Sequence, residues 1–172
     1  RDGRESILID PGSVGNLGGD GWVQSLAKAA IASGRVPEQA KRDRALHISG
    51  VGHGSQTCTH NCKLPVAFKR TDGTVGRGNF NVPVVPQSEL PGLLGLKSLR
   101  DRRAILDMQT LQIHFAGPGD YDLSLTLPPG TESYQCELAP SGHMVLPCSE
   151  FAAVDAEESG SLDTGAEVSL PV

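Results

Sequence analysis

Short apolar segments separated by Gly, Pro, Asn and Asp run through the chain from Ala45 onward, and this texture constrains the fold more than any other feature. Such spacing is typical of β-strands joined by tight turns. Leu111, Ile113 and Phe115 alternate with polar residues, which places one face of that strand in a core. We therefore expect a mainly β protein, with strands at residues 6–10, 45–49, 62–69, 80–85, 111–115 and 123–127.

Two segments interrupt this pattern with helical spacing. Trp22, Val23, Leu26 and Ala30 recur as on one face of a helix, and Gly34 ends the run. The spacing predicts a helix over residues 22–33, with Asp20 as its candidate capping residue. A shorter helix is predicted over residues 96–103, directly after Gly95.

The chain divides into a body and an acidic end. Its 172 residues fit one domain with a real core, which we place at residues 1–148. Residues 149–172 are rich in Ala, Glu, Ser and Gly and indicate a low-complexity linker or tail. That segment holds six acids and no Lys or Arg, so the body, with 15 basic and 14 acidic residues, is close to neutral. The basic runs at 41–44 and 100–103 are interrupted by acids, so we expect no nucleic-acid partner.

Nothing in the sequence predicts a membrane segment or an exported protein. No run approaches the roughly 20 apolar residues that cross a bilayer, and the N-terminus lacks the apolar core of a signal peptide. The four cysteines are irregularly spaced and do not form a disulfide framework, although Cys136 and Cys148 flank a predicted hairpin at 134–148 and could meet. We expect an intracellular, cytoplasmic protein without a membrane partner.

Residues 7–13 read Ile-Leu-Ile-Asp-Pro-Gly-Ser, an apolar strand that ends in a carboxylate and a tight turn. Two such carboxylates that share one proton can activate a water molecule for attack on a peptide bond. Gly12 would let the backbone approach Asp10 closely, and the hydroxyl of Ser13 could donate to the carboxylate. Asp10 is thus the candidate catalytic residue, and Pro11, Gly12 and Ser13 form the candidate active-site loop. Taken alone, Asp-x-Gly is more often an ordinary turn.

Three segments, in this order, resemble the retropepsins, the proteases of retroviruses and retrotransposons. Residues 7–13 are similar to the catalytic motif, and residues 92–99, continuing to 104–107, are similar to the apolar strand and short helix behind the active site. Between them, residues 48–54 look like the glycine-rich flap that closes over substrate. Its candidate substrate-binding residues are Gly50, Val51, Gly52, His53 and Gly54.

This resemblance, which covers about residues 5–115, implies a fold, an activity and a partner. The fold would be a small closed β-barrel of the retropepsin type, with the helix at 22–33 as an insertion and a second short helix at 96–103. The activity would be aspartic endopeptidase cleavage of an extended polypeptide, in particular a retrotransposon polyprotein. The second aspartate would come from an identical subunit, so the family implies a homodimer that needs neither a cofactor nor a metal.

A non-catalytic hypothesis stands beside the first. Pro11 occupies the position where the family has Thr or Ser, and it has neither a hydroxyl nor an N–H. Nine residues precede Asp10, fewer than the family's interface strand and first hairpin would need. The alternative is therefore an inactive retropepsin-like β domain that binds a peptide or a partner.

Two other patterns carry weaker signals. Asp163-Thr164-Gly165 matches the usual triplet better than Asp10 does, but too few residues follow it for a second lobe. His53, Cys58, His60 and Cys62 have metal-ligand chemistry, so a metal-binding β domain is a less favoured reading. On an extended strand the neighbouring pairs from Cys58 to Cys62 would lie about 6–7 Å apart, which is too wide for one tetrahedral zinc ion.

Overall fold

A computed structural model describes residues 3–49 and 54–160 of the chain. The protein is mainly β, as the sequence predicts, and the described residues contain three helices, of which the sequence predicts two. The strands are β1 (Ile7–Ile9), β2 (Gly18–Gly19), β3 (Glu38–Ile48), β4 (Gln56–Lys69), β5 (Val75–Val85), β6 (Gly92–Leu94), β7 (Ala104–Asp107), β8 (Gln112–Phe115), β9 (Glu137–Leu138) and β10 (Met144–Val145). The helices are α1 (Asp20–Ala32), α2 (Leu96–Asp101) and α3 (Phe151–Gly160).

One four-stranded sheet organises the body, in the order β2-β5-β4-β3. Strands β4 and β5 form a long antiparallel hairpin that runs from the pair Asn61 and Pro83 to the pair Lys69 and Val75. Strands β3 and β4 form a second hairpin, whose register shifts between Lys41 and Leu46. Three further pairs complete the sheets: β1 with β6, β7 with β8, and β9 with β10.

The core lies between α1 and one face of this sheet. Its buried cluster consists of Val23, Cys62, Leu64, Phe80 and Val82. Alternate residues of β4 point inward because side chains on a strand alternate between its two faces. The single helix α1 thus covers the inner face of β4 and β5.

Trp22 joins three parts of this core. Its ring meets Phe80 edge to face, with the ring centroids 5.9 Å apart. A Cβ atom on Gly92 would lie 2.4 Å from the same indole ring, so only glycine fits at that position of β6. The indole N–H donates to the carbonyl oxygen of Ser6 at 2.9 Å, which ties the start of β1 to the helix.

The two predicted helices are present with shifted ends, since α1 begins at Asp20 and α2 ends at Asp101. The predicted cap was wrong, because Gly19 is the N-cap of α1 and provides no side-chain cap. The Asp20 carboxylate instead accepts the backbone N–H groups of Gln87 and Ser88 at 2.8 and 3.1 Å. Both hydrogen bonds lower the pKa of Asp20, and the bond from Gln87 has the larger effect.

The structure corrects other expectations about the elements. Residues 123–127 are not a strand; Leu123–Thr126 is a 3₁₀ helix, whose Asp122 cap accepts the N–H of Ser124 at 3.0 Å. The predicted strands at 45–49 and 62–69 are parts of the longer β3 and β4. The predicted acidic tail contains the helix α3, every residue of which is exposed.

No helix within residues 3–49 and 54–160 is both long and apolar enough to cross a membrane.

Candidate active site

Asp10 follows the last residue of β1, and its backbone is fixed by β6. The two strands run parallel, with Ile7 opposite Gly92 and Ile9 opposite Leu94. The N–H of Asp10 continues this pairing and donates to the carbonyl oxygen of Leu94 at 3.0 Å. The pairing of β1 with β6 therefore fixes the backbone of Asp10 at the end of the strand.

The loop after Asp10 passes around the end of β6 and returns along its other side. Leu17 and Leu93 exchange backbone hydrogen bonds of 2.7 and 3.3 Å. The N–H of Leu96, at the start of α2, donates to the carbonyl oxygen of Ser13 at 2.7 Å. We call the place where this loop passes the end of β6 the crossing. A Cβ atom on Gly95 would lie 2.3 Å from the carbonyl oxygen of Gly15, so the crossing requires glycine at position 95. Strand β6 is thus bound by β1 on one edge and by the loop on the other.

Asn16 strengthens this crossing, and sequence reasoning missed it. Its side-chain oxygen accepts the N–H of Gly95 at 2.9 Å, and its amide nitrogen donates to the carbonyl oxygen of Asn81 at 3.4 Å. An asparagine in a glycine-dense loop was the available signal, because its amide can satisfy backbone groups that a crossing leaves without strand partners.

The Asp10 carboxylate is partly exposed and receives one hydrogen bond from the part of the chain that the structure describes. The N–H of Gly12 donates to its Oδ1 atom at 3.0 Å. A Cβ atom on residue 12 would stand 3.1 Å from the same oxygen, which is a tight contact. The predicted role of Gly12 in bringing the backbone close to the carboxylate agrees with this geometry.

Ser13 and Pro11 contribute differently from Gly12. The hydroxyl of Ser13 donates to the carbonyl oxygen of Gly15 at 2.6 Å, not to the carboxylate of Asp10. The N–H of Ser13 donates to the carbonyl oxygen of Asp10 at 3.1 Å, which closes the turn. Pro11 is half-buried and has no N–H to donate. The hydroxyl of Ser13 therefore stabilises the loop, and Gly12 is the residue that donates to the carboxylate of Asp10.

The candidate flap lies at the end of the β3–β4 hairpin. Of its five residues, Gly50, Val51, Gly52 and His53 lie outside the described residues. Gly54 is described and exposed. It lies two residues before Gln56, where β4 begins, and Ile48 ends β3. The predicted flap segment therefore falls between these two strands in the sequence.

Exposed apolar side chains lie on both sides of Asp10 in the sequence. Leu8 is 52% exposed, Ile9 is 37% exposed and Val14 is 41% exposed. The hairpin of β9 and β10 reaches the same place, since a Cβ atom on Gly142 would lie 3.1 Å from Val14.

The other sequence signals do not form a second site in the described residues. Cys58 and Cys62 are buried thiols, and burial raises the pKa of both. Residues 3–49 and 54–160 contain no group of three or more His, Cys, Asp or Glu side chains arranged to hold a metal ion. Cys136 and Cys148, whose pairing the sequence left open, are free thiols. Asp163 lies outside the described residues.

No protein-family model matches this chain, and no curated protein matches its sequence.

Proposed function

We propose that the chain is an aspartic endopeptidase of the retropepsin type, with Asp10 as the catalytic residue of each of two identical subunits. The observation that supports this most is the crossing at β6. It holds Asp10 by backbone bonds to Leu94, while the N–H of Gly12 orients one oxygen of a partly exposed carboxylate. A surface turn of the same sequence would need no such support from a strand about 80 residues away.

The chemistry follows from bringing two such carboxylates together. At hydrogen-bond distance from a shared water they cannot both ionise, so they would hold one proton between them. One aspartate would take a proton from the water as it attacks the scissile carbonyl, and the other would protonate the carbonyl oxygen. Leu8, Ile9 and Val14 would be buried between the subunits, which would exclude bulk water from the pair.

The substrate would be an extended polypeptide, as in a retrotransposon polyprotein that is cut inside the cell. As the candidate flap, residues 50–54 would bind the substrate backbone, where strand-type hydrogen bonds are sequence-tolerant. A closed barrel is part of this proposal. The catalytic step would use no cofactor.

A second candidate function, binding without cleavage, is supported by two observations. Pro11 cannot donate a hydrogen bond from its backbone, and the hydroxyl of Ser13 is used by Gly15. These residues offer nothing that would brace two active-site loops against each other. A domain of this kind would still present the apolar surface around Asp10 to a peptide.

Cleavage of a peptide library at pH 4–7 by the purified chain separates the two functions. We expect cleavage that pepstatin inhibits, and a loss of at least about a thousandfold in Asp10→Asn. The matched control is Asp72→Asn, because Asp72 also precedes a glycine in a turn and also accepts a backbone N–H. Pro11→Thr should raise the rate.

Equal cleavage by the wild type and Asp10→Asn would exclude Asp10 catalysis. Binding of library peptides without cleavage, in both the wild type and Pro11→Thr, would establish the binding function instead.

A further inference from the structure

The charges of this protein are divided along the chain. All 15 Lys and Arg residues lie at or before Arg103, and none follows it. Helix α3 lies in the acidic part and carries Asp155, Glu157 and Glu158. The basic and acidic parts therefore have complementary charges, and this division is independent of the proposed catalysis.

Helix α3 has no covering partner within the described chain. All ten of its residues are exposed, with Phe151 at 71% and Val154 at 50%. Phe151, Val154, Asp155 and Glu158 follow the i, i+3, i+4, i+7 spacing and so share one face. This face, which we call the α3 face, combines two apolar side chains with two carboxylates.

Such a helix is unstable by itself. Isolated helices shorter than about 12–15 residues are marginal in water, and α3 has 10. Two of its three acids, Glu157 and Glu158, lie in its second half, near the negative end of the helix dipole, where anions are unfavourable. A partner that covers the α3 face and brings cations to its C-terminal end would remove both penalties.

A basic cleft with this chemistry lies on strand β3. Lys41 pairs with His60 and Leu46 with Cys58, so four residues of β3 bulge out opposite Thr59 alone. Arg42, Asp43, Arg44 and Asn61 line an open cavity of about 370 Å³ at this bulge, which we call the arginine cleft.

The arginine cleft is partly preorganised. The guanidinium of Arg42 donates to Asn61 Oδ1 at 2.6 Å and to the carbonyl oxygen of Arg44 at 3.1 Å. The side chain of Arg44 is exposed, and the structure gives it no carboxylate partner among residues 3–49 and 54–160. Lys63 lies two residues from Asn61 and so on the same face of β4, but Glu38 is its cross-strand neighbour and offsets its charge. Asp43 is the acid within the cleft, so the match rests on the two arginines.

We propose that helix α3 of one copy of the chain docks in the arginine cleft of a second copy. Asp155 and Glu158 would accept hydrogen bonds from Arg42 and Arg44, and Phe151 and Val154 would be covered in the same contact. The occupant is a second copy because α3 stands uncovered in the single chain. Two copies could exchange helices in both directions, which forms a closed, two-fold symmetric pair.

Charge exchange between full-length variants tests this docking. Hydrogen exchange of residues 151–160 is measured at increasing protein concentration and low salt. In the wild type, protection of this segment should grow with concentration. Arg42→Glu/Arg44→Glu alone and Asp155→Lys/Glu158→Lys alone should each weaken the association by about tenfold or more. Mixing the two variants should restore protection, since each variant then offers the charge that the other lacks.

Controls separate docking from misfolding and from a general effect of charge. Lys28→Glu/Lys97→Glu changes the net charge equally at exposed positions and should leave α3 protection unchanged. The amides of β4 report whether each variant is folded; if Arg42→Glu/Arg44→Glu is not, Arg44→Glu alone replaces it. Docking between copies would be overturned if the protection of residues 151–160 did not depend on protein concentration. It would also be overturned if the mixture stayed unprotected while a single chain with all four charge reversals was protected.

Discussion

In two turns of this protein an aspartate precedes a glycine, either directly or with one residue between them. Asp10 precedes Pro11 and Gly12, and Asp72 precedes Gly73 in the turn between β4 and β5. In both turns the carboxylate accepts the backbone N–H two residues further on, at 3.0 Å from Gly12 and at 2.9 Å from Thr74. The two carboxylates therefore make the same local hydrogen bond.

The surroundings of the two turns differ. The hydroxyl of Thr74 also donates to Asp72, at 2.6 Å, and this bond lowers the pKa of the carboxyl. Its partners all lie within a few residues. The Asp10 loop is instead held by Leu94 and Gly95, and its carboxylate keeps unused hydrogen-bonding capacity. The difference shows that the turn alone identifies no site, whereas a turn fixed by a distant strand can position a carboxylate for chemistry.

The largest effect should come from the glycines on which the two turns depend. In Gly95→Ala the new Cβ would meet the backbone of Gly15, so we expect a loss of about 3 kcal/mol in the free energy of unfolding and no cleavage. Gly73 has φ +89° and open space around it, so Gly73→Ala should cost only about 1 kcal/mol and leave cleavage intact. Urea unfolding monitors both variants, and equal losses would remove the distinction between the turns.

A smaller effect should come from the side chains that support each turn. Asn16→Ala leaves the N–H of Gly95 without its acceptor in a half-buried crossing, so we expect a loss of about 1–2 kcal/mol together with slower cleavage. The matched change, Thr74→Val, removes the hydroxyl from Asp72 and should leave cleavage unchanged. The idea that the crossing controls the site fails if Asn16→Ala cleaves at the wild-type rate.

The smallest effect concerns acid stability and belongs to Asp72. Its folded-state pKa lies below the unfolded value because of Thr74, so the ionised carboxylate adds stability above about pH 4, and this is lost as the pH falls through the folded pKa. Asp72→Asn should therefore lose less stability than the wild type between pH 5 and pH 2. Acid titration at a fixed urea concentration measures this, and an unchanged or steeper loss in the variant would contradict it.

The sequence predicted several local features and missed those that depend on distant partners. The alternation of Leu111, Ile113 and Phe115 was wrongly assigned to a core face, since Leu111 is 88% and Phe115 is 49% exposed. Strand β1, helix α1 and the segment of β6 and α2 were found because each has a dense apolar pattern or a glycine boundary. The full lengths of β3 and β4 were missed since their polar residues, such as those from Glu38 to Lys41, give no alternation; pairing in the hairpin overrides that weak local preference.

The candidate site was predicted only in part, for the same reason. Asp10 and Gly12 were identified from their own neighbourhood. Asn16 was not, because its partner Gly95 is 79 residues away, and an asparagine in a glycine-dense loop does not by itself identify that partner. Asp20 was misread as a cap since the backbone groups it binds belong to the connection after β5.

Trp22 gives this protein an intrinsic optical probe. It is the single tryptophan of the chain, and its ring contacts Gly92 of β6 while its N–H holds Ser6 before β1. The two strands that position Asp10 are therefore both in contact with one fluorophore. Its emission should report the integrity of the β1–β6 pair together with the packing of that pair on Phe80 of the core, without an attached label.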